Sequence, residues 1–386
     1  MNGTAGKIGV IMSGGGARAA YQVGVLKALA RILPPGQPNP FPIICGASAG
    51  AINATALAVY ANNFQHAVRR LERVWGNFHV EHVFRSDLRG MASNWAKWWI
   101  SFFAGGIGGY QYPMSMFDRA PLHALLSRYL PCERIQSSID AGLLHALSIT
   151  VSGYSSGQSV SFYQGAPGIA PWRRAARIGV PTGIGIDHLM ASSAIPLVFE
   201  AVKIHREYFG DGSMRQIAPI SPALHLGAER VLIIGVRQEA NGAPAREGGS
   251  AEYPTLAQIG GHVLSSIFLD ALEADLERLR RINETIRLIA PEQRSSEAGR
   301  TAMLHPVEPL LIAPSQNIAE IAARHRQHFP RGVQLLLRSL GAWKRSGGDL
   351  LSYILFEKPY TRELIELGEH DALQRRTEIE AFFGKS

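Results

Sequence analysis

Two serines lie in the pattern G-x-S-x-G: Gly46-Ala47-Ser48-Ala49-Gly50 and Gly153-Tyr154-Ser155-Ser156-Gly157. A serine hydroxyl serves as an acyl-transfer nucleophile when it stands on a sharp strand-to-helix turn, which small neighbours permit. Around Ser48 the context fits. The apolar run Phe41–Cys45 reads as a strand before it, Ala49–Ala61 reads as a helix after it, and its flanks are alanines. Ser155 lies between two strand-like runs and reads as a hairpin turn. Ser48 is therefore the candidate nucleophile, with Gly46 and Gly50 forming its elbow. The competing explanation is a helix N-cap serine.

A second feature is Ser13-Gly14-Gly15-Gly16-Ala17-Arg18, between the first strand and the first helix. Gly14-x-Gly16-x-x-Ala19 fits a dinucleotide fingerprint loosely, but that fold needs an acidic residue about 20 positions on. No Asp or Glu precedes Glu72. A phosphate-binding loop fails as well, because no Gly-Lys-Ser/Thr follows. Consecutive glycines at a helix N-terminus also present backbone N–H groups to a developing negative charge. Gly14, Gly15 and Gly16 are thus candidates for an oxyanion hole, and Arg18 for holding the loop or adding positive potential. A tight turn that needs glycine is the plain alternative.

An acyl-transfer serine needs a base. There are 13 histidines, none in a telling motif; His205, His225 and His262 follow Ser48 in an order that a triad allows. Asp211, in Tyr208-Phe209-Gly210-Asp211-Gly212-Ser213, is another candidate, although Asp-Gly is ordinary turn chemistry.

These residues must be positioned by the elements around them. Ile8–Ser13 and Phe41–Cys45 read as strands, each followed by a helix, Ala17–Leu33 and Ala49–Ala61. Strand, turn, helix, repeated, predicts an α/β fold with a parallel sheet covered by helices. Further strands are expected at Leu147–Ser152, Ser159–Gln164, Val231–Val236, Ile286–Ala290 and Pro309–Ile312. A helix is expected from Thr255 to Asn283, with apolar residues at 264, 268, 272, 276, 279 and 282. Asn241–Ser250 reads as a loop, and the chain beyond Pro314 is helical in pattern.

With 386 residues, 46% hydrophobic and 18% charged, the chain can bury a sizeable core. Lys+Arg 39 against Asp+Glu 31 gives a net charge of +8, which favours anionic partners such as a membrane surface. Nucleic-acid binding has only that charge behind it and is not expected. The two cysteines, Cys45 and Cys132, cannot build a disulfide framework, and no Cys or His spacing suits zinc. His325-x-x-His328 reads as a pair on a helix surface. No apolar run reaches the about 20 residues of a spanning helix, and the N-terminus lacks a signal peptide's apolar core. A cytoplasmic protein, able to touch a membrane peripherally, is expected.

Taken in order, Gly14-Gly15-Gly16-Ala17-Arg18, Gly46-Ala-Ser48-Ala-Gly50, Ala191-Ser-Ser-Ala-Ile-Pro196 and Asp211-Gly212 resemble the patatin-like phospholipases, over roughly residues 6–235. Leu351–Phe383 looks like the tail of bacterial members. The resemblance implies a three-layer α/β/α fold with a mainly parallel central sheet. The element pattern itself reads as one catalytic α/β domain over 6–313 with a helical C-terminal extension over 314–386 packed on it. The resemblance also implies a Ser/Asp dyad, with Ser48 as nucleophile and Asp211 as base, an oxyanion hole at Gly14, Gly15 and Gly16, and Arg18 as the loop's basic residue. The implied activity is lipid acyl hydrolysis of phospholipase A or lysophospholipase type, on a lipid ester substrate and without cofactor or metal. A carboxylate base would need burial to raise its pKa. Two positions depart from the family's pattern. Asp211-Gly212 is followed by Ser213 where Gly or Ala is usual, and Ala19-Ala20-Tyr21 stands where a further glycine is common. An acyltransferase using the same acyl-serine, or a membrane-bound regulatory protein with a vestigial site, is the alternative.

Trp95, Trp98, Trp99, Phe102 and Phe103 recur at i, i+3, i+4, i+7 and i+8, one face of a helix, with a glycine-rich stretch from Gly105 to Gly109 behind. This is either a lid over 90–112 that dips into lipid or a stripe packed on the core. Arg173, Arg174 and Arg177, beside Trp172, read as a solvated face that can meet phosphate headgroups.

Overall fold

The computed structural model describes residues 7–85, 117–196, 198–238, 255–290, 292–293, 305–339, 341–343 and 347–384. The strands are β1 (Ile8–Met12), β2 (Ile43–Ala47), β3 (Ala146–Gly153), β4 (Ser159–Gly165), β5 (Trp172–Arg174), β6 (Arg177–Pro181), β7 (Val202–Ile204), β8 (Glu207–Asp211), β9 (Arg230–Ile234) and β10 (Glu308–Ile312). β1 shows why a sheet forms here. Val10 and Met12 enter one apolar core and Ile11 enters another on the opposite face. A strand apolar on both faces belongs inside a helix-covered parallel sheet. β1 indeed lies at the centre of the parallel run β10-β9-β1-β2-β3. Beyond β3 the pairing becomes mixed: β3–β4 is antiparallel, β4–β6 parallel and β5–β6 antiparallel, while the β7–β8 hairpin joins β3.

Helices cover both faces, so the fold is three-layered α/β/α. On one side lie α1 (Ala20–Ile32), α2 (Ala49–Val59), α3 (Phe64–Trp75) and α4 (Ala120–Tyr129), with α5 (Arg134–Asp140) beside them. α6 (Ile186–Ser192) packs near the end of β3. On the other side, α7 (Ser221–His225) and α8 (Leu256–Leu288) bury Ala223, Leu272, Leu276 and Leu279. After β10 come α9 (Ile318–His325), α10 (Arg331–Ser339), α11 (Gly348–Ile354), α12 (Lys358–Gln374) and α13 (Arg376–Phe382). Leu364 and Ile365 of α12 share the larger core with Leu26 and Leu29 of α1. Asp371 of α12 accepts hydrogen bonds from the Tyr21 hydroxyl at 3.1 Å and the Ser315 amide at 2.9 Å.

The expected strand at Ile286–Ala290 is instead the last turn of α8 and the residues after it. Ile286 is buried on the same helical face as Leu279 and Asn283, whereas Ile282 is 46% exposed. A five-residue apolar run carries no period of its own, so its helical context decides. Thr255 caps α8, accepting from the Gln258 amide. The first helix is broken: Gly16–Ala19 forms a 3-10 turn before α1. The second strand is shifted forward and runs into Gly46 and Ala47. Ser155 lies in the tight connection of the antiparallel β3–β4 pair. The aromatic stretch Trp95–Phe103 and the loop Asn241–Ser250 lie outside the described residues. Among the described residues no helix is long and apolar enough to cross a membrane.

Candidate active site

β2 delivers Ser48 to the C-terminal edge of the parallel strands, where ligands bind in open α/β sheets. Ser48 has φ 53° and ψ −131°, a left-handed conformation that non-glycine residues avoid at a cost of about 1–3 kcal/mol. The turn is tight because α2 starts at once, over the end of β1. A Cβ at Gly50 would stand 2.3 Å from the Met12 carbonyl oxygen, so glycine is required there. Ser48 occupies the N-cap position of α2 but makes no side-chain cap hydrogen bond. Its hydroxyl instead donates to Asp211 Oδ2 at 2.6 Å, and its amide donates to Ser192 Oγ at 2.8 Å. The Ser192 hydroxyl in turn donates a hydrogen bond to the Thr150 carbonyl at 2.7 Å.

Asp211 ends β8. Along one edge of β3, Thr150 pairs with Ala47 of β2, and the next residue, Val151, pairs with Asp211. The opposite edge of both residues is taken by β4. The β2 and β8 ends therefore meet head-on, one rung apart, and Ser48 is the first residue past that meeting point. Asp211 is 0% exposed. Its amide donates to the Ala194 carbonyl at 2.9 Å, and its Oδ1 accepts from the Ser213 amide at 2.9 Å. The third residue of Asp-Gly-Ser holds the carboxylate through its backbone, so a serine there keeps this bond. Burial pushes Asp211 up to about 6, against the opposing pull of the Ser48 and Ser213 hydrogen bonds and the Arg119 charge.

Arg119, just before α4, is buried, and desolvation lowers its own pKa to about 10. It donates to the carbonyls of Met190 at 2.7 Å and Glu200 at 2.5 Å, with its guanidinium 5.1 Å from the Phe199 ring centroid. It thus ties together the ends of the segment whose Ala194 carbonyl holds Asp211.

The glycine loop follows β1. Gln22 donates to the Ser13 carbonyl at 2.7 Å, Asn53 of α2 donates to Gln22 Oε1 at 2.9 Å and to the Ala19 carbonyl at 3.2 Å, and Trp75 donates to Asn53 Oδ1 at 2.8 Å. A satisfied buried network of this kind rigidifies the loop it holds. Gly14, Gly15 and Gly16 are buried. Gly16 has φ +56°, and a Cβ on it would lie 2.2 Å from the Tyr353 carbonyl oxygen of α11. Arg18 is committed to the same helix: it donates to Ser352 Oγ at 2.8 Å, pairs with Asp349 at 3.0 Å and lies 4.2 Å from the Tyr353 ring centroid. The loop is fastened to a segment more than 300 positions downstream.

Ser48 and Gly16 open onto a cavity lined almost wholly by apolar side chains, chiefly of α2, α3, α4 and α11. Such a cavity suits a hydrocarbon chain next to the Ser48 hydroxyl. Among the described residues no histidine lines it. His225 stacks on Trp172 at 4.9 Å, and burial, helped by the nearby Arg174 and Arg177, lowers its pKa to about 4. His205 sits in the β7–β8 turn, and His262 lies exposed on α8. Trp172 faces inward between Tyr163 and His225, leaving Arg173 and Arg174 as the exposed part of that basic cluster. His325 pairs with Glu363 rather than with a second ligand, and among the described residues no group of three side chains could hold a metal.

Ser192, Arg119 and the Gln22–Asn53–Trp75 network were not identifiable as site residues from spacing. Ser192 falls in the string Ala191-Ser-Ser-Ala-Ile-Pro196, which marks the position without stating its role. Arg119 stands directly after Asp118, which reads as an ordinary surface charge pair and gives no signal of burial.

The family model "Patatin-like phospholipase" matches residues 10–224, the span that holds the glycine loop, Ser48 and Asp211. A search of curated proteins finds no match. Among solved structures, VipD from Legionella pneumophila is similar at 13% identity and a TM-score of 0.28, with 99% of this chain and 88% of that chain covered.

Proposed function

The chain belongs to the patatin-like phospholipase family, and we propose that it is a lipid acyl hydrolase of phospholipase A or lysophospholipase type working through Ser48 and Asp211. The observation that carries the proposal is the 2.6 Å hydrogen bond from Ser48 Oγ to a fully buried carboxylate whose pKa burial lifts to about 6. A general base works best with a pKa near the working pH, and burial brings this one closer. The positive φ of Ser48 supports the same role, since strain of this kind is kept where surrounding structure enforces a function.

In this mechanism Asp211 accepts the Ser48 proton as Ser48 Oγ attacks the ester carbonyl. The oxyanion is held by backbone N–H groups of Gly14, Gly15 and Gly16. Collapse breaks the ester C–O bond, and the proton on Asp211 passes to the departing alcohol. Asp211 then takes a proton from water, which attacks the acyl-serine and releases the fatty acid while Ser48 regains its proton. The apolar cavity beside Ser48 holds the acyl chain throughout.

Turnover of p-nitrophenyl esters and of phospholipid micelles by wild type, Ser48→Ala and Asp211→Asn tests the proposal, with a fluorophosphonate probe reporting on Ser48. Hydrolysis by wild type and background rates in both variants are expected. Labelling of Ser48 without hydrolysis would turn the assignment to acyl transfer onto another acceptor. Absence of both would remove the enzyme assignment.

A further inference from the structure

The cavity beside Ser48 has a direction and an end. α2 and its C-cap residue lay Ala49, Ile52, Ala56 and Tyr60 along its wall, a spacing that keeps one helix face toward the space. The facing helices agree in direction. Trp75, at the end of α3, bonds Asn53 one turn from Ser48, whereas Tyr129, at the end of α4, accepts the Tyr60 hydroxyl at 2.9 Å. Tyr60 is 5% exposed, and its ring is held edge-on to His66 at 5.5 Å. The Arg70 guanidinium lies 4.7 Å from the Tyr60 ring centroid and also lines the cavity, with Arg134 at 6.0 Å on that ring. Along this wall the cavity lining runs from Ser48 to an immobilised ring backed by cations.

We propose that Tyr60 is the stop that measures the substrate's acyl chain. This rests on the hydrolase reading above and adds chain length to it. From Ala49 to Tyr60 the helix rises about 16 Å at about 1.5 Å per residue. An extended chain advances about 1.3 Å per carbon, given C–C bonds of about 1.5 Å, so about twelve carbons reach the ring. Each methylene buried up to that point raises kcat/KM about fourfold. A longer chain must displace the Tyr60 ring or press a methyl group against the Arg70 guanidinium, stripping water from a charge without replacing it.

The test compares kcat/KM for butyrate, octanoate, dodecanoate and palmitate esters within each protein, so that a uniform loss cancels. Wild type prefers dodecanoate and disfavours palmitate by about tenfold or more. Ala56→Phe, blocking the channel one turn earlier, moves the preference to octanoate. Tyr60→Ala moves it to palmitate, and Tyr60→Phe, which keeps the ring, leaves it at dodecanoate. If Tyr60→Ala fails to fold, Ala56→Phe alone decides. Coincident profiles in wild type and Ala56→Phe would overturn the proposal. If wild type hydrolyses no ester, the hydrolase reading fails separately. Displacement of a bound fluorescent fatty acid by the same four acids then reads the stop directly, and a ranking without a break after dodecanoate overturns it.

Discussion

Ser48 and Asp211, 163 positions apart in sequence, are brought to 2.6 Å because their strands abut on one edge of β3. The distance is set by backbone register and not by side-chain search. A slip of β8 by one residue would turn Asp211 to the opposite face of the sheet and remove the contact.

The pH dependence of kcat/KM follows from Asp211. As base it must be ionised, so activity rises with pH, with a midpoint near its pKa of about 6. Arg119→Met removes a positive charge that lowers that pKa, and the midpoint moves to higher pH. Rates of a soluble ester from pH about 4 to about 8 check both. An unmoved midpoint in the variant would detach Arg119 from the base.

Stability responds in the opposite sense to activity. The folded pKa of Asp211 is raised from 3.8 to about 6, so the native state holds its proton more tightly than the unfolded chain does. This contribution is fully present below pH about 4 and is lost as pH rises through about 6. Asp211→Asn carries no charge to desolvate. It is expected to gain about 2–3 kcal/mol over wild type at pH 8 and much less at pH 4, in urea unfolding at the two pH values.

Ser192→Ala leaves the buried Ser48 amide and the Thr150 carbonyl without the bridging hydroxyl. A loss of about 1–3 kcal/mol of stability is expected. The elbow is anchored through the same bridge, so kcat should fall with less change in KM. Equal activity at matched folding would show that the turn holds Ser48 without it.

Gly50→Ala places a methyl group 2.3 Å from a backbone carbonyl oxygen, so α2 must move away from β1. Destabilisation of about 3 kcal/mol or more is expected. Gly183→Ala is the comparison, since a Cβ there meets nothing within 4 Å. Thermal melts of the two variants should separate clearly.

The elbow and the glycine loop were readable in sequence because they are local: a strand, small residues at fixed offsets, then a helix. The parallel core was readable for a related reason, since strands buried on both faces are continuously apolar. The partner of Ser48 was not, because histidines and Asp211 are equivalent on paper until β3 sets which one reaches Ser48. Family resemblance pointed to Asp211 where spacing could not. Ile286–Ala290 misled because a short apolar run fits a strand as well as the end of a helix. Ser192 and Arg119 act by bonding backbone carbonyls and amides, and such partners leave no pattern in the order of side chains.

The fastening of the Gly14–Gly16 loop to α11 has a consequence for the protein's own synthesis. Gly16 packs on the Tyr353 carbonyl, and Arg18 is bound by Asp349 and Ser352. At about 5–20 residues per second, the ribosome delivers α11 tens of seconds after the loop itself. A growing chain carries Ser48 early but lacks the wall on which its glycine loop rests. A lipid-cleaving centre assembled this way stays incomplete until α11 has been made.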